Sequence, residues 1–186
     1  MPTVILCSAS PRRKELLSEI FGTFEIKKGE GEERSRYIRP HKKVVDLALG
    51  KQKGVEVPAG GVVLSADTLV YKSGKYYGKP GSVPAAKEML RELSGKTHFV
   101  YTGVAIKTQS ETVCFYERSS VPMKRLSEEE IEDYIRDFSP LDKAGAYGIQ
   151  DGVTVARYSG SYSNIVGLPV ERLKEELGKM GVKYDN

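Results

Sequence analysis

Two arginines stand where the sequence predicts the start of a helix. Arg12 and Arg13 directly follow Ser10-Pro11, and the first turn of a helix has free backbone N–H groups and a positive dipole end that attract anions. Two cations there are unfavourable for the helix alone, but arginine binds phosphate through paired hydrogen bonds. The motif therefore indicates either a phosphate site or two surface arginines paired with Glu15 or Glu19.

A lone carboxylate, Asp67, interrupts a segment that is otherwise apolar. Residues 62–71 read VVLSADTLVY and have the composition of a buried β-strand, in which aspartate is disfavoured. A buried carboxylate must be paired or bind a metal to offset its desolvation. Asp67 is therefore a candidate to hold a divalent cation or to accept a proton from water. The alternative is a structural aspartate held by a turn or a lysine.

The remaining candidates carry weaker signals. Each of the following charged residues is by itself typical of a solvated surface, yet each is also a candidate for metal or phosphate contact: Glu32, Glu33, Lys51, Lys53 and Lys79. His41 and His98 have no metal-ligand spacing, so we interpret both as structural or surface residues. The motifs GxxxxGK[ST], GxGxxG and GxSxG do not occur, which argues against P-loop, Rossmann and serine-triad enzymes.

Alternating helices and strands must position these residues. The predicted strands are 3–7, 62–71, 75–77, 98–108, 112–121 and 153–158, with 98–108 and 112–121 forming a hairpin. The predicted helices are 10–22, 40–53, 85–93, 127–138 and 169–180. Ser10 is expected to cap the first helix, and a capping box of Ser127 and Glu130 opens the fourth. This order predicts an α/β fold with a mixed sheet. Ligands in such folds lie beyond strand ends, where Ser8–Arg13 and Asp67–Thr68 are expected to converge.

Composition limits the class of protein. The 186 residues, 39% of them hydrophobic, are expected to form one domain over 1–186. No apolar run approaches the roughly 20 residues of a membrane span, and the N-terminus lacks the pattern of a secretory signal, so we expect a cytoplasmic protein with free Cys7 and Cys114. The net charge of +4 arises from 29 basic residues interleaved with 25 acidic ones. That excess is too diffuse to predict a nucleic-acid surface.

Six linked motifs resemble the Maf family in order and spacing. They are residues 8–17 (SASPRRKELL), 65–70 (SADTLV), 78–80 (GKP), 93–98 (LSGKTH), 102–105 (TGVA) and 143–150 (KAGAYGIQ), and 164–169 (NIVGLP) ends the resemblance. It covers nearly the whole chain. The resemblance implies a two-lobed α/β fold around a central cleft, related to inosine-triphosphate pyrophosphatases, with a divalent cation (Mg²⁺ or Mn²⁺) and often a homodimer.

The same resemblance implies site residues and a reaction. It assigns the proton acceptor to Asp67, and it assigns the phosphate and metal site to Ser8, Arg13, Glu33, Lys51 and Lys79, with Asp67 also able to hold the metal. Arg12, Thr68 and Gln150 match positions of the branch that prefers dTTP and UTP, whereas another branch has an aromatic residue in place of Arg12. The implied reaction is hydrolysis of a nucleoside triphosphate to its monophosphate and pyrophosphate.

Two departures from the family pattern affect the specificity more than the reaction. The family commonly has Asp-Glu where this chain has Glu32-Glu33, and it continues Ile-Gln-Gly where this chain has Asp151 after Gln150.

The rival hypothesis is a nucleotide-sensing or nucleic-acid-binding regulator with little turnover. Asp67 argues against that reading, because a pure anion binder has no reason to bury a carboxylate beside its phosphate.

Overall fold

The computed structural model describes residues 1–31 and 34–185. In these two ranges, six strands form one mixed sheet: β1 (Val4–Leu6), β2 (Glu25–Ile26), β3 (Val62–Lys72), β4 (Lys75–Tyr77), β5 (Thr97–Lys107) and β6 (Thr112–Pro122). The order across the sheet is β2-β1-β3-β5-β6, with β4 paired to β3. The β1 strand is parallel to β2 and β3, and the other pairs are antiparallel. The predicted mixed α/β sheet is confirmed.

Within the described residues, six helices and three 3₁₀ turns surround this sheet. The helices are α1 (Pro11–Ser18), α2 (Pro40–Gly50), α3 (Val83–Leu93), α4 (Glu128–Phe138), α5 (Tyr162–Val166) and α6 (Val170–Lys179), and the 3₁₀ turns are Pro140–Asp142, Ala144–Ala146 and Ile149–Asp151. Pro11 opens α1 as predicted, but Ser10 makes no side-chain cap. The capping box of Ser127 and Glu130 is present at α4. No helix among the described residues is long and apolar enough to span a membrane.

Two predictions about the C-terminal third were incomplete. The strand expected at 153–158 is wrong, because the bridges here are isolated: Val155 pairs with Met123, just after β6, and Ser159, just after the segment, pairs with Ser120 of β6. The short helix α5 was not predicted. Its five residues span little more than one turn, which is too short for a helical periodicity to appear in the sequence.

Two hydrophobic cores lie on the same face of the sheet, at opposite ends of the long strands β3 and β5. One core packs α1 and α6 against residues such as Leu64 and Ile106. The other packs α3 and α4 against Val70 and Val100. Between the two cores, the same face presents threonines, Thr68 and the fully buried Thr102. The predicted two-lobed arrangement is confirmed, and the boundary between the lobes is polar.

A gap in strand pairing lies at this boundary. Along one edge of β3, β1 pairs with residues 62–64 and β4 pairs with residues 70–72. Within the part of the chain that the structure describes, the intervening residues 65–69 pair only with β5. The edge of β3 that carries Asp67 and Thr68 is therefore open to ligands and side chains rather than covered by another strand.

Candidate active site

A cleft of about 330 Å³ opens between the two lobes beside this gap. Seven of the nine predicted site residues line it: Arg12, Arg13, Lys51, Asp67, Thr68, Lys79 and Gln150. Ser8 lines an adjacent cavity that shares Lys51 with the cleft. Glu33, the ninth, and its neighbour Glu32 lie outside the described residues. The convergence of the Ser8–Arg13 segment with Asp67–Thr68 is confirmed.

Helix α2 brings Lys51 to Asp67. The helix lies directly on β5, where a Cβ added to Gly103 would stand 2.5 Å from the carbonyl oxygen of Val44, so only glycine permits this approach. It is also bonded to β3, because the Ser65 hydroxyl donates to the Ala48 carbonyl at 2.6 Å. Lys51 follows the last residue of α2, and its ammonium donates to Oδ1 of Asp67.

The ion pair of Lys51 and Asp67 is mostly shielded from water. The Lys51 and Asp67 side chains are 21% and 16% exposed, and the Lys51 ammonium also lies 3.4 Å from the carbonyl oxygen of Ala66, on the open edge of β3. A carboxylate in such a place is costly without a cation, and Lys51 supplies one. The structure therefore agrees with the alternative in which a lysine holds Asp67. The same carboxylate also lines the cleft.

Arg13 ties together three chain segments beneath the cleft. The side chain is 92% buried, and its guanidinium donates to the Gly167 carbonyl at 2.8 Å, to the Ser8 hydroxyl at 3.2 Å and to the Thr68 hydroxyl at 2.9 Å. Burial lowers the pKa of Arg13, and the nearby Asp67 carboxylate partly offsets that effect. Guanidinium has five N–H donors, and the bonds to the described residues use three of them. Arg13 therefore organises the site as well as lining it.

The threonine pair behind Arg13 extends this network. The Thr68 hydroxyl lies 3.0 Å from the Thr102 hydroxyl, which donates to the Asn164 carbonyl at 2.9 Å. The hydroxyl of Thr68 is thus already engaged by Arg13 and Thr102. Its predicted role in reading a base stays a prediction.

Arg12 lines the cleft and pairs with Asp142 across it. Its guanidinium donates to Oδ2 of Asp142 at 3.1 Å, and this contact joins α1 to the first 3₁₀ turn across 130 residues of sequence. The alternative in which Arg12 pairs with Glu15 or Glu19 is not observed. Burial works against the charged form of Asp142, but Arg12 and Lys143 outweigh it, so the pKa of Asp142 is lowered.

The segment 143–150 forms the opposite wall of the cleft. Gly145 has φ of 73° and donates its N–H to the Gly78 carbonyl at 3.1 Å, which sets the position of the neighbouring Lys79. The Tyr147 hydroxyl lies 2.6 Å from Nε2 of His98. Burial lowers the pKa of His98 to about 4, so the histidine is neutral near pH 7, and it is fully buried rather than on the surface.

The chain matches one protein family over nearly its whole length. The model of the family "Maf-like protein" matches residues 3–180. The chain belongs to the Maf-like family. Relatives of this Maf-like chain include a protein from Bacillus cereus that is 48% identical over 186 residues, covering 98% of this chain and 97% of the relative. Another, from Bacillus mycoides, is 50% identical over 181 residues, covering 95% of each. Both relatives are named dTTP/UTP pyrophosphatase.

A metal in the Maf-like cleft would have to be held by few protein ligands. Among residues 1–31 and 34–185, no group of three or more His, Cys, Asp or Glu side chains is close enough to bind one ion. Mg²⁺ does not require such a group, because it commonly takes one or two carboxylates and completes its shell with water and substrate phosphates. Asp67 offers a carboxylate that faces the cleft, so the donor set fits a hard cation that arrives with a triphosphate.

Sequence reasoning missed several residues of the Maf-like cleft. Asp142, Lys143 and Tyr147 line its wall, yet none was named as a candidate. The signal that could have found them was their place within or beside the KAGAYGIQ motif, where only Gln150 was singled out. Their contacts with Arg12 and His98 connect distant segments and do not follow from local patterns.

Proposed function

We propose that this Maf-like chain hydrolyses dTTP and UTP to the monophosphate and pyrophosphate. The observation that supports this best is the meeting of Asp67 with Lys51, Arg12 and Lys79 in one cleft. A triphosphate site requires several cations for the phosphates and one group that takes a proton from water. The names of relatives that are 48–50% identical over nearly their whole length support the choice of substrate.

In the proposed reaction, the oxygen of a water molecule attacks the α-phosphorus. The new bond joins that oxygen to the α-phosphorus, and the bond from the α-phosphorus to the bridging oxygen breaks. Asp67 accepts the proton that the water loses, and pyrophosphate leaves with the bonding electron pair. Lys51 and Arg13 hold the carboxylate and the neighbouring loop in place, while Lys79 neutralises phosphate charge. Catalysis is then mostly positioning and electrostatics.

A divalent cation, Mg²⁺ or Mn²⁺, is part of this proposal. Asp67 and Glu33 are the carboxylates that would hold it, and it would neutralise charge on the triphosphate and on the leaving pyrophosphate. The low number of acidic side chains in the described cleft agrees with an ion that is bound chiefly through substrate oxygens.

Base selection is assigned to Gln150, with Arg12 and Thr68 alongside it. The amide of Gln150 has both a donor and an acceptor, which match the alternating carbonyl and N–H edge that thymine and uracil share. Gln150 is exposed at the cleft wall, so the amide is available to a ligand. A site built to pair with such an edge discriminates strongly against a base that leaves its polar groups unpaired.

A product analysis tests the proposal. Purified protein is incubated with Mg²⁺ and, separately, dTTP, UTP, ATP, GTP and 7-methyl-GTP in water enriched in heavy oxygen, and the products are separated by anion exchange. We expect dTMP or UMP and pyrophosphate, with the label in the monophosphate because attack is at the α-phosphorus. Asp67→Asn prepared in parallel controls for a contaminating enzyme. Nucleoside diphosphate with orthophosphate, or label in the pyrophosphate, would contradict the mechanism. Tight nucleotide binding without turnover would favour the regulator.

A further inference from the structure

We propose that Tyr134 and Asp151 are positioning residues that hold the segment 148–151, and with it the amide of Gln150, in the orientation that selects the base. The inference rests on the proposed function, because it concerns how that site chooses its substrate. Neither residue lines the cleft, so neither is expected to touch the nucleotide. Their effect is exerted through Gln150.

The hydroxyl of Tyr134 bridges both ends of this segment. It donates to Oδ2 of Asp151 at 2.6 Å and accepts from the backbone N–H of Gly148 at 2.9 Å. Gln150 lies between the two anchored residues. The Gly148 N–H is buried and the Asp151 carboxylate is half-buried. Loss of the partner of a buried polar group is costly, so these two bonds favour one arrangement of the four residues.

The segment is also tightly closed within itself. The N–H of Asp151 donates to the Gly148 carbonyl, and the N–H of Gly152 donates to the Ile149 carbonyl, both at 3.2 Å. A Cβ added to Gly148 would lie 2.9 Å from Oδ2 of Asp151 and 3.2 Å from Oε1 of Gln150. The carboxylate, the amide oxygen and the glycine backbone therefore occupy one compact patch. A shift of Asp151 would move the backbone of the adjacent Gln150, from which the amide extends.

Tyr134 is itself rigidly mounted on α4. Its side chain is only 2% exposed, within the core that also contains Ile131 and Ile135. The ring stacks on Phe138 with a centroid distance of 5.1 Å. Burial, and then the hydrogen bond to Asp151, raise the pKa of Tyr134, so the hydroxyl keeps its proton at any pH used for assay. The Tyr134 hydroxyl therefore fixes the segment 148–151, at the wall of the cleft, relative to the core helix α4.

Removal of this anchor should weaken discrimination more than catalysis. A displacement of about 1 Å in a positioned group can cost on the order of 100-fold, and the discrimination that polar groups provide is of similar or greater size. For Tyr134→Phe we expect the ratio of kcat/KM for dTTP to kcat/KM for ATP to fall by about tenfold or more. The change should be mainly in the KM for dTTP, since Asp67 and Lys51 are not displaced.

The experiment compares four variants with the wild-type protein. Tyr134→Phe and Asp151→Ala remove the two partners, and Asp151→Asn keeps an acceptor for the tyrosine and should retain the wild-type ratio. Tyr77→Phe is the matched control, because Tyr77 is 2% exposed in the same core and donates to Glu92 at 2.8 Å, away from the segment 148–151. Values of kcat and KM for dTTP, UTP, ATP and GTP are measured for each protein, together with Tm.

The results separate this inference from the proposed function. An unchanged ratio in folded Tyr134→Phe, or an equal loss in Tyr77→Phe, would overturn the positioning role while the pyrophosphatase activity stands. If Tyr134→Phe does not fold, the contrast between Asp151→Ala and Asp151→Asn decides. If the wild-type protein does not hydrolyse dTTP, binding of α,β-imido-dTTP and α,β-imido-ATP is measured instead. A preference for the dTTP analogue that Asp151→Ala loses and Asp151→Asn keeps would support the inference, and equal preference in all variants would reject it.

Discussion

The replacement of Asp67 by asparagine keeps the shape of the side chain and removes its charge. In the structure, Oδ1 of Asp67 accepts from the Lys51 ammonium, and the two side chains are 16% and 21% exposed. An amide oxygen can still accept that hydrogen bond, but it cannot neutralise Lys51 or take a proton from water. The variant therefore tests the ion pair and the catalytic role together.

The expected size of each effect follows from this burial and from the proposed role. A general base contributes typically 100- to 10,000-fold to a rate, so we expect kcat for dTTP to fall by about that range. Breaking a buried ion pair costs about 3–5 kcal/mol and an exposed pair at most about 1 kcal/mol. The pair is mostly shielded and keeps a hydrogen bond, so the unfolding free energy should fall by about 2 kcal/mol. For a chain of this length, Tm should fall by about 4–8 °C.

Anions should reverse the loss of stability. Without the carboxylate, the cations Lys51 and Arg13 share the cleft with less compensation, so pyrophosphate should raise the Tm of Asp67→Asn more than that of the wild-type protein. Differential scanning fluorimetry with and without pyrophosphate measures this, and single-turnover hydrolysis of dTTP measures the rate. Asp133→Asn is the matched control, because Asp133 pairs with Arg136 at 2.7 Å in an exposed position on α4.

Three outcomes would refute this reasoning. Turnover of folded Asp67→Asn within a few-fold of wild type would exclude Asp67 as the proton acceptor. A Tm equal to that of wild type would mean that the pair with Lys51 contributes nothing to stability. A fall in Tm as large for Asp133→Asn would attribute the effect to a general loss of charge rather than to the cleft.

Three further predictions concern base choice, metal and pH. We expect kcat/KM for dTTP and UTP to exceed that for ATP, GTP and 7-methyl-GTP, and Gln150→Ala to abolish this ranking; a ranking that survives in Gln150→Ala would show that Gln150 does not read the base. Turnover should stop in excess chelator and return with Mg²⁺ or Mn²⁺, as followed by pyrophosphate release, and full activity in chelator would contradict the metal role. The folded-state pKa of His98 is about 4, below its usual 6.5 when unfolded, so the unfolded chain takes up the proton first. Stability should be lost by up to about 3 kcal/mol as pH falls from 6.5 to 4. Tm in that range should fall less for His98→Gln than for wild type, and identical slopes would exclude His98 as the cause.

The sequence by itself determined the regular elements with strong local signals. The hairpin of β5 and β6 was predicted within one residue at each end, because two strand-like segments of similar length flank a short turn. The start of α4 followed from the capping box at Ser127. The prediction of a strand at 153–158 was wrong although its composition suits a strand, because the chain forms only isolated bridges near the end of β6 and does not run along it. Strand pairing depends on a partner, which composition alone cannot supply.

The candidate site was likewise predicted only in part from the sequence. Residue types and spacing indicated Asp67 as an exceptional carboxylate and Arg12 and Arg13 as anion-binding candidates, since their chemistry conflicts with their local surroundings. Only the tertiary structure decided what each one contacts. Arg13 uses three donors to bind Ser8, Thr68 and Gly167, and Arg12 reaches Asp142 across 130 residues. The pair of Lys51 and Asp67 depends likewise on the close approach of α2 to the sheet. Local sequence records which side chains need a partner, and long-range packing decides which partner they find.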